Sequence, residues 1–131
     1  MVLLDTNFLI AFMRGDPTAR EKMRELTKHG ARLTTTPINA YELYKGAYAS
    51  ARPDANISRV KELLSTLKRL PLDEESLEEA GRIFAELNAK GTPIGDLDTV
   101  IAGTALRHGE TIMTRNLTHF KKVPELSAET W

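Results

Sequence analysis

The sequence has no cysteine, which removes disulfides, thiolate nucleophiles and cysteine-ligated zinc together and fits a reducing compartment. It has no surplus of either charge: Lys+Arg 18 balance Asp+Glu 18. Nothing therefore advertises bulk binding to nucleic acid or a membrane surface, and any such contact must be local. No run approaches the roughly 20 apolar residues needed to cross a bilayer. The opening MVLLDTNFLIAFMR lacks a basic leader, is interrupted by Asp5 and is followed by no small-residue cleavage site, so it is not expected to act as a secretion signal. A cytoplasmic location is the expectation. Asn56-Ile57-Ser58 and Asn116-Leu117-Thr118 match glycosylation acceptors only by chance without a secretory route. Repeats, low-complexity tracts and long linkers are missing too. What remains is 131 residues with 41% hydrophobic content, suited to one domain, 1–131, with an adequate core.

Short apolar strands alternate with helical patterns along the chain, a rhythm that implies βαβ units. Met1 to Leu4 reads as a buried strand with Asp5 at its carboxyl end, leading into the apolar stretch Phe8 to Met13. Asp16-Pro17 places a cap before a proline at the first helical position, and the helix runs to His29-Gly30. Ala31 to Thr35 is a second strand. Thr36-Pro37 repeats the cap-then-proline signal and opens a helix through about Ser50, while Asn56 to Lys68 has leucines and Val60 at helical spacing. Leu70 to Leu72 is expected as a brief strand. Asp73 caps a helix with Leu77, Ala80, Ile83, Phe84 and Leu87 on one face and Gly91 as its stop. PIGDLDTVIAGTALRHG reads as a loop and a buried helix, followed by a strand at Thr111 to Thr114 and a short, irregular end at Trp131.

Strands feeding helices in this order favour a parallel sheet covered on both faces, with ligands gathering beyond the carboxyl ends of the strands. Asp5, Glu42, Asp96, Asp98 and Asn116 then converge on one rim. An isolated aspartate near a helix start usually serves the free N–H groups and the dipole; Asp96 fits that explanation, and Asp98 is open to it. Asp5 fits it less well, lying between two apolar runs with no evident capping role. Glu42 shares a helical face with Asn39, Lys45 and Gly46, and as a solvated residue it would pair with Lys45 at a gain of a few tenths of a kcal/mol. Converging carboxylates repel in a partly desolvated rim unless a cation neutralises them. Oxygen ligands alone select hard ions such as Mg²⁺ or Mn²⁺, and such sites suit hydrolysis of phosphodiesters.

Four segments, MVLLDTNFLIAF, INAYELYKGA, PIGDLDTVIAGTALRHG and TIMTRNLTHFKKVPEL, with ETW at the end, together resemble a VapC-type toxin of the PIN-domain ribonucleases over nearly the whole chain. The resemblance implies a three-layer α/β/α fold around a central parallel sheet of four to five short strands. It also implies a Mg²⁺- or Mn²⁺-dependent endoribonuclease, usually dimeric, inhibited by a cognate VapB-type antitoxin in a hetero-oligomer. Family roles carry onto Asp5 as first acid, Glu42 as second and Asp98, in D-x-x-I-A, as third. Asp96 is a further ligand or an electrostatic neighbour. Where many PIN domains have a fourth acid, this chain has Asn116, which suits orienting water or a ligating carboxylate. Thr6, Asn7 and Thr114 support the ligands through hydrogen bonds.

RNA backbone contacts are expected from Arg14, Lys45, Arg52 and Arg115, and secondarily from Lys121 and Lys122; taken singly, each is more commonly a solvated charge. His29 and His108 stand at helix ends, where a cation suits the dipole. His119, beyond Asn116, is given no role as general base. Tyr41, Tyr44 and Tyr48 form a stripe on one helix that serves either the core or a protein interface. Two other functions compete. Asp96-Leu97-Asp98-Thr99-Val100 resembles the nucleophile motif of haloacid-dehalogenase phosphatases but lacks the preceding hydrophobic strand. A non-catalytic PIN-like binding module would keep the fold without the chemistry, against which the intact acids argue.

Overall fold

The computed structural model describes residues 1–131. In chain order it contains β1 (Val2–Leu4), α1 (Thr6–Met13), α2 (Pro17–Lys28), β2 (Leu33–Thr35), α3 (Pro37–Tyr48) and α4 (Pro53–Ser65). There follow β3 (Lys68–Arg69), α5 (Glu74–Ala89), α6 (Asp96–His108), β4 (Thr111–Met113), α7 (Leu117–Phe120) and β5 (Ala128–Glu129). The five strands form one sheet in the order β3-β2-β1-β4-β5, and every neighbouring pair is parallel.

Two adjacent leucines define the layers. Strand side chains alternate between faces, so Leu3 and Leu4, both fully buried, enter different cores. Leu4 joins Phe8, Leu9, Leu43, Val60 and Leu64 under α1 to α4. Leu3 joins Ile83, Leu87, Ile101, Ala105 and Phe120 under α5 to α7. Ile112 and Met113 of β4 divide in the same way. The result is the expected three-layer arrangement, each large buried side chain contributing about 1.5–3 kcal/mol.

Caps mark the helices as the sequence suggests. Asp16, Thr36 and Asp73 accept backbone N–H bonds at the starts of α2, α3 and α5, and proline opens α2 and α3. Helix α6 lies so close to α5 that a Cβ on Gly103 would meet Ala80 N at 2.7 Å. Only glycine allows that approach.

Several expectations need correction. The third strand is Lys68–Arg69, ahead of the expected Leu70 to Leu72. Both residues are exposed, as suits an edge strand guarded by charge, and Leu70 then extends the pairing through its N–H to the Thr35 carbonyl (2.8 Å) before turning into the core. Helix α4 runs from Pro53 to Ser65, not Asn56 to Lys68, because another proline sets its start. The chain end is not wholly irregular: Ala128–Glu129 pairs with β4. Leu77 and Phe84 lie on the outer face of α5 and are about half exposed. Tyr41 and Tyr48 are exposed too, whereas Tyr44 packs against the core, so the tyrosine stripe divides between core and surface.

Candidate active site

Parallel strands bring Asp5, Thr36 and Thr114 to the same end of the sheet, directly after β1, β2 and β4. Asp5 is 4% exposed. It does cap a helix, contrary to the sequence reading: Oδ1 accepts the Thr6 N–H at 2.9 Å at the start of α1. The same oxygen accepts Asn39 Nδ2 at 3.0 Å, and Oδ2 accepts the Thr114 hydroxyl at 2.7 Å. Burial holds this carboxyl above the ordinary aspartate range, and the charges of Asp98 and Glu42 push in the same direction. The hydrogen bonds from Thr114 and Thr6 oppose the rise without cancelling it.

Glu42 projects from α3, which places it over the end of β1. Its Oε1 accepts the Thr6 hydroxyl at 2.8 Å, while Asn39 Nδ2 also reaches Thr6 Oγ1 at 3.0 Å. Asn39 is itself held by Thr36, whose hydroxyl donates to Asn39 Oδ1 at 2.7 Å. Lys45 does not pair with Glu42; its ammonium lies 5.6 Å from the centre of the Tyr41 ring.

Asp98 stands in the first turn of α6, but the N-cap is Gly95, at φ 92°, and no side chain caps this helix. Asp98 therefore caps no backbone N–H, while its place in the first turn still suits the helix dipole. Its Oδ2 accepts Asn116 Nδ2 at 3.0 Å and lies 2.8 Å from His119 Nδ1. Asn7 links this segment to the rest: its Nδ2 donates to Thr114 Oγ1 (3.3 Å), and its Oδ1 accepts the Arg115 N–H (3.2 Å). Asp96 is exposed and makes no side-chain hydrogen bond.

No lysine or arginine forms an ion pair with Asp5, Glu42 or Asp98; the only ionisable partner is His119. Asp98 Oδ1 and Glu42 Oε2 accept no hydrogen bond from the protein. The carboxylates line an open rim instead of a closed cage, and no group of three acids and histidines is drawn into metal-holding range. In donor chemistry the site fits a hard divalent ion: oxygen atoms only, uncompensated negative charge and unused lone pairs.

The basic residues are dispersed. Arg14 ends α1 at a cavity of about 260 Å³ that it lines with Ile10, Met13, Leu43 and Arg59. Arg115 follows Thr114, with its guanidinium 4.4 Å from the Trp131 ring centre and 3.3 Å from Thr18 Oγ1. Arg52, Lys121 and Lys122 are exposed.

The PIN domain family matches residues 2–126. The chain belongs to the PIN-domain family. Relatives of this PIN domain include the tRNA(fMet)-specific endonuclease VapC of Salmonella typhimurium, 35% identical over 98% of this chain and 96% of that protein. Ribonuclease VapC2 of Haemophilus influenzae is 32% identical over the same shares. Among solved structures, VapBC2 from Rickettsia felis bound to a promoter DNA fragment superposes with a TM-score of 0.91 at 28% identity, covering 100% of this chain and 99% of that one. DNA-bound VapBC from Salmonella typhimurium gives 0.89 at 34% identity, covering 99% and 97%. The fold and the VapC-type assignment expected from the sequence both stand.

In this PIN domain the structure gathers Asp5, Thr6, Asn7, Glu42, Asp98, Thr114 and Asn116 into one hydrogen-bonded rim. Sequence reasoning missed three members. Asn39 was visible only as a neighbour of Glu42 on one helical face, Thr36 only as a cap, and His119 only as a residue near Asn116. The dehalogenase-like reading of Asp96 to Val100 does not survive, because this segment opens a helix and ends no strand.

Proposed function

We propose that this protein is a Mg²⁺- or Mn²⁺-dependent endoribonuclease, the toxin of a type II pair, acting as one domain over residues 1–131. The observation that carries this reading is Asp5, a buried carboxylate charged against Glu42 and Asp98 with no basic side chain to neutralise it. Asp5, Glu42 and Asp98 would hold the ion, with Asp96 a further ligand at the rim. Bound there, it would activate water and stabilise charge on the leaving oxygen. The protein's own groups do the orienting: Thr114 and Asn39 fix Asp5, Thr6 fixes Glu42, and Asn116 fixes Asp98. Arg14, Lys45 and Arg115 would contact the RNA backbone. Relatives named as ribonucleases support the substrate class.

Solved relatives that are VapBC complexes support a VapB-type antitoxin as partner, in a hetero-oligomer built on a toxin homodimer. Exposed Tyr41 and Tyr48 suit such a protein interface. No helix is long and apolar enough to cross a membrane, and a cytoplasmic location follows from the proposed pairing.

The test is cleavage of a labelled pool of structured and single-stranded RNAs with Mg²⁺, with Mn²⁺ and with chelator, beside Asp98→Asn. Cleavage that needs both a metal and Asp98 is expected. Cleavage indifferent to either would overturn the mechanism, and no cleavage under any condition would favour a silent binding module.

A further inference from the structure

We propose that His119 is a positioning residue that holds Asp98 in its metal-binding orientation through Nδ1. The proposal rests on the reading of Asp98 as a metal ligand.

Asp98 lies early in α6, and its side chain caps no backbone N–H, so the helix alone does not fix its rotamer. Two side chains from the segment after β4 do. Asn116 Nδ2 and His119 Nδ1 lie 3.0 and 2.8 Å from the same oxygen, Oδ2. An ionised carboxylate has no proton to give, so His119 Nδ1 must carry the hydrogen and donate it. Asn116 Nδ2 and His119 Nδ1 consequently stand only 2.9 Å apart; two donors aimed at one acceptor are crowded together. With Oδ2 occupied twice, Oδ1 is left as the oxygen available to a cation.

The donor is itself well seated. Asn116 and His119 sit one turn apart at α7, closed by the His119 N–H to the Asn116 carbonyl at 3.1 Å. The next residue, Phe120, is fully buried in the core under α5 and α6. That anchor aims the imidazole back at α6. His119 Nε2 makes no hydrogen bond within the protein, and the side chain is 38% exposed. Packing against the core does not account for the ring, which is only partly covered and spends its one internal hydrogen bond on Asp98.

Hydrogen bonds to a ligating carboxylate commonly change metal affinity by about 10–100-fold when removed. The test is calorimetric titration of Mn²⁺ alone into wild type, His119→Ala, His119→Asn, His119→Gln and Asp98→Asn, with thermal unfolding to check each fold and cleavage of the RNA pool as a second readout. His119→Ala is expected to weaken Mn²⁺ binding about tenfold or more and to lower kcat more than it changes KM. Asparagine places an amide nitrogen near the Nδ1 position and glutamine places one near Nε2, so only His119→Asn should restore binding and cleavage. Rescue by glutamine alone would move the role to Nε2 and the substrate, and it would overturn the proposal. So would wild-type affinity in His119→Ala while Asp98→Asn loses the ion. If wild type binds no Mn²⁺ and Asp98→Asn cleaves normally, the metal reading itself falls and the role of His119 falls with it.

Discussion

The Thr114 hydroxyl donates to Asp5 Oδ2 over 2.7 Å and so ties together residues 109 positions apart in the chain. The same hydroxyl oxygen accepts from Asn7 Nδ2 and from the Asn116 N–H, at 3.3 and 2.9 Å. One buried side chain thus sets the first strand, the first helix and the segment after β4 against one another. Thr114→Val keeps the shape and removes all three bonds. Urea unfolding should register a loss of about 1–3 kcal/mol, with RNA cleavage reduced further than the loss of folded protein explains. A folded variant with undiminished cleavage would leave Thr114 a structural role alone.

Divalent ions should stabilise the protein. The Asp5 carboxyl is raised by burial and then by the charges of Asp98 and Glu42, so a cation that relieves this cost binds the folded state and lifts the thermal midpoint. Asp5→Asn removes one of the repelling charges; it should fold, keep its midpoint without added ion, and respond weakly to Mg²⁺ or Mn²⁺. A variant that gains as much as wild type from either ion would locate the stabilisation elsewhere.

Glu110 provides a test of pH dependence away from the site, at the opposite end of β4. It is 3% exposed, and neither carboxylate oxygen is hydrogen-bonded, while the Thr34 hydroxyl beside it donates to the Val2 carbonyl at 3.1 Å. Burial raises its pKa, moderated by the N-terminal amine, Thr34, Arg32 and His108. A raised carboxyl favours folding at low pH and loses that contribution as pH climbs through its folded value. Glu110→Met should therefore stabilise by about 1 kcal/mol at pH 8, the scale of a buried polar group without a partner, and by less at pH 4. Denaturant titrations at both values give the comparison, and an equal gain at each would exclude the carboxyl as its source.

A pair of glycines separates packing from propensity. A Cβ on Gly103 would press against Ala80 N, Ala80 Cα and the Ser76 carbonyl oxygen at 2.7 to 2.8 Å, all of them backbone, whereas Gly81 on α5 faces open space. Gly103→Ala should cost about 1–3 kcal/mol and also impair cleavage, since α6 carries Asp98. Gly81→Ala should gain about 0.5–1 kcal/mol and leave cleavage alone. If chemical denaturation gives both variants the same sign, close helix contact is not what selects glycine at 103.

Local signals made most of the frame legible. Asp16-Pro17, Thr36-Pro37 and Asp73 announced their helices, and short apolar or β-branched runs announced β1, β2 and β4. The elements that escaped are those without such signals: β3 is two charged residues at an edge, β5 is Ala128–Glu129, and α7 is a single turn. For the candidate site, an acid at a strand end and an acid at a helix start could be read along the chain as Asp5 and Asp98, and Glu42 as an acid set among apolar residues within a helix. Their supports could not. Asn39 reaches Asp5 across 34 positions and His119 reaches Asp98 across 21, and no local pattern encodes a hydrogen bond that exists only after the sheet has formed. Asp5 shows the converse limit: the helix beginning at Thr6 was hidden inside an apolar run, so its cap went unrecognised.

The placement of β1 between β2 and β4 bears on when the protein becomes dangerous to its own maker. A growing chain that has emerged only as far as α6 already contains Asp5, Glu42 and Asp98, yet it lacks β4, which positions Thr114 and Asn116 beside them. Because long-range strand pairing is a late and costly step, the hydrogen-bonded rim closes only when synthesis is nearly finished. Nascent or truncated chains that stop before β4 therefore lack Thr114 and Asn116, the groups that hold Asp5 and Asp98.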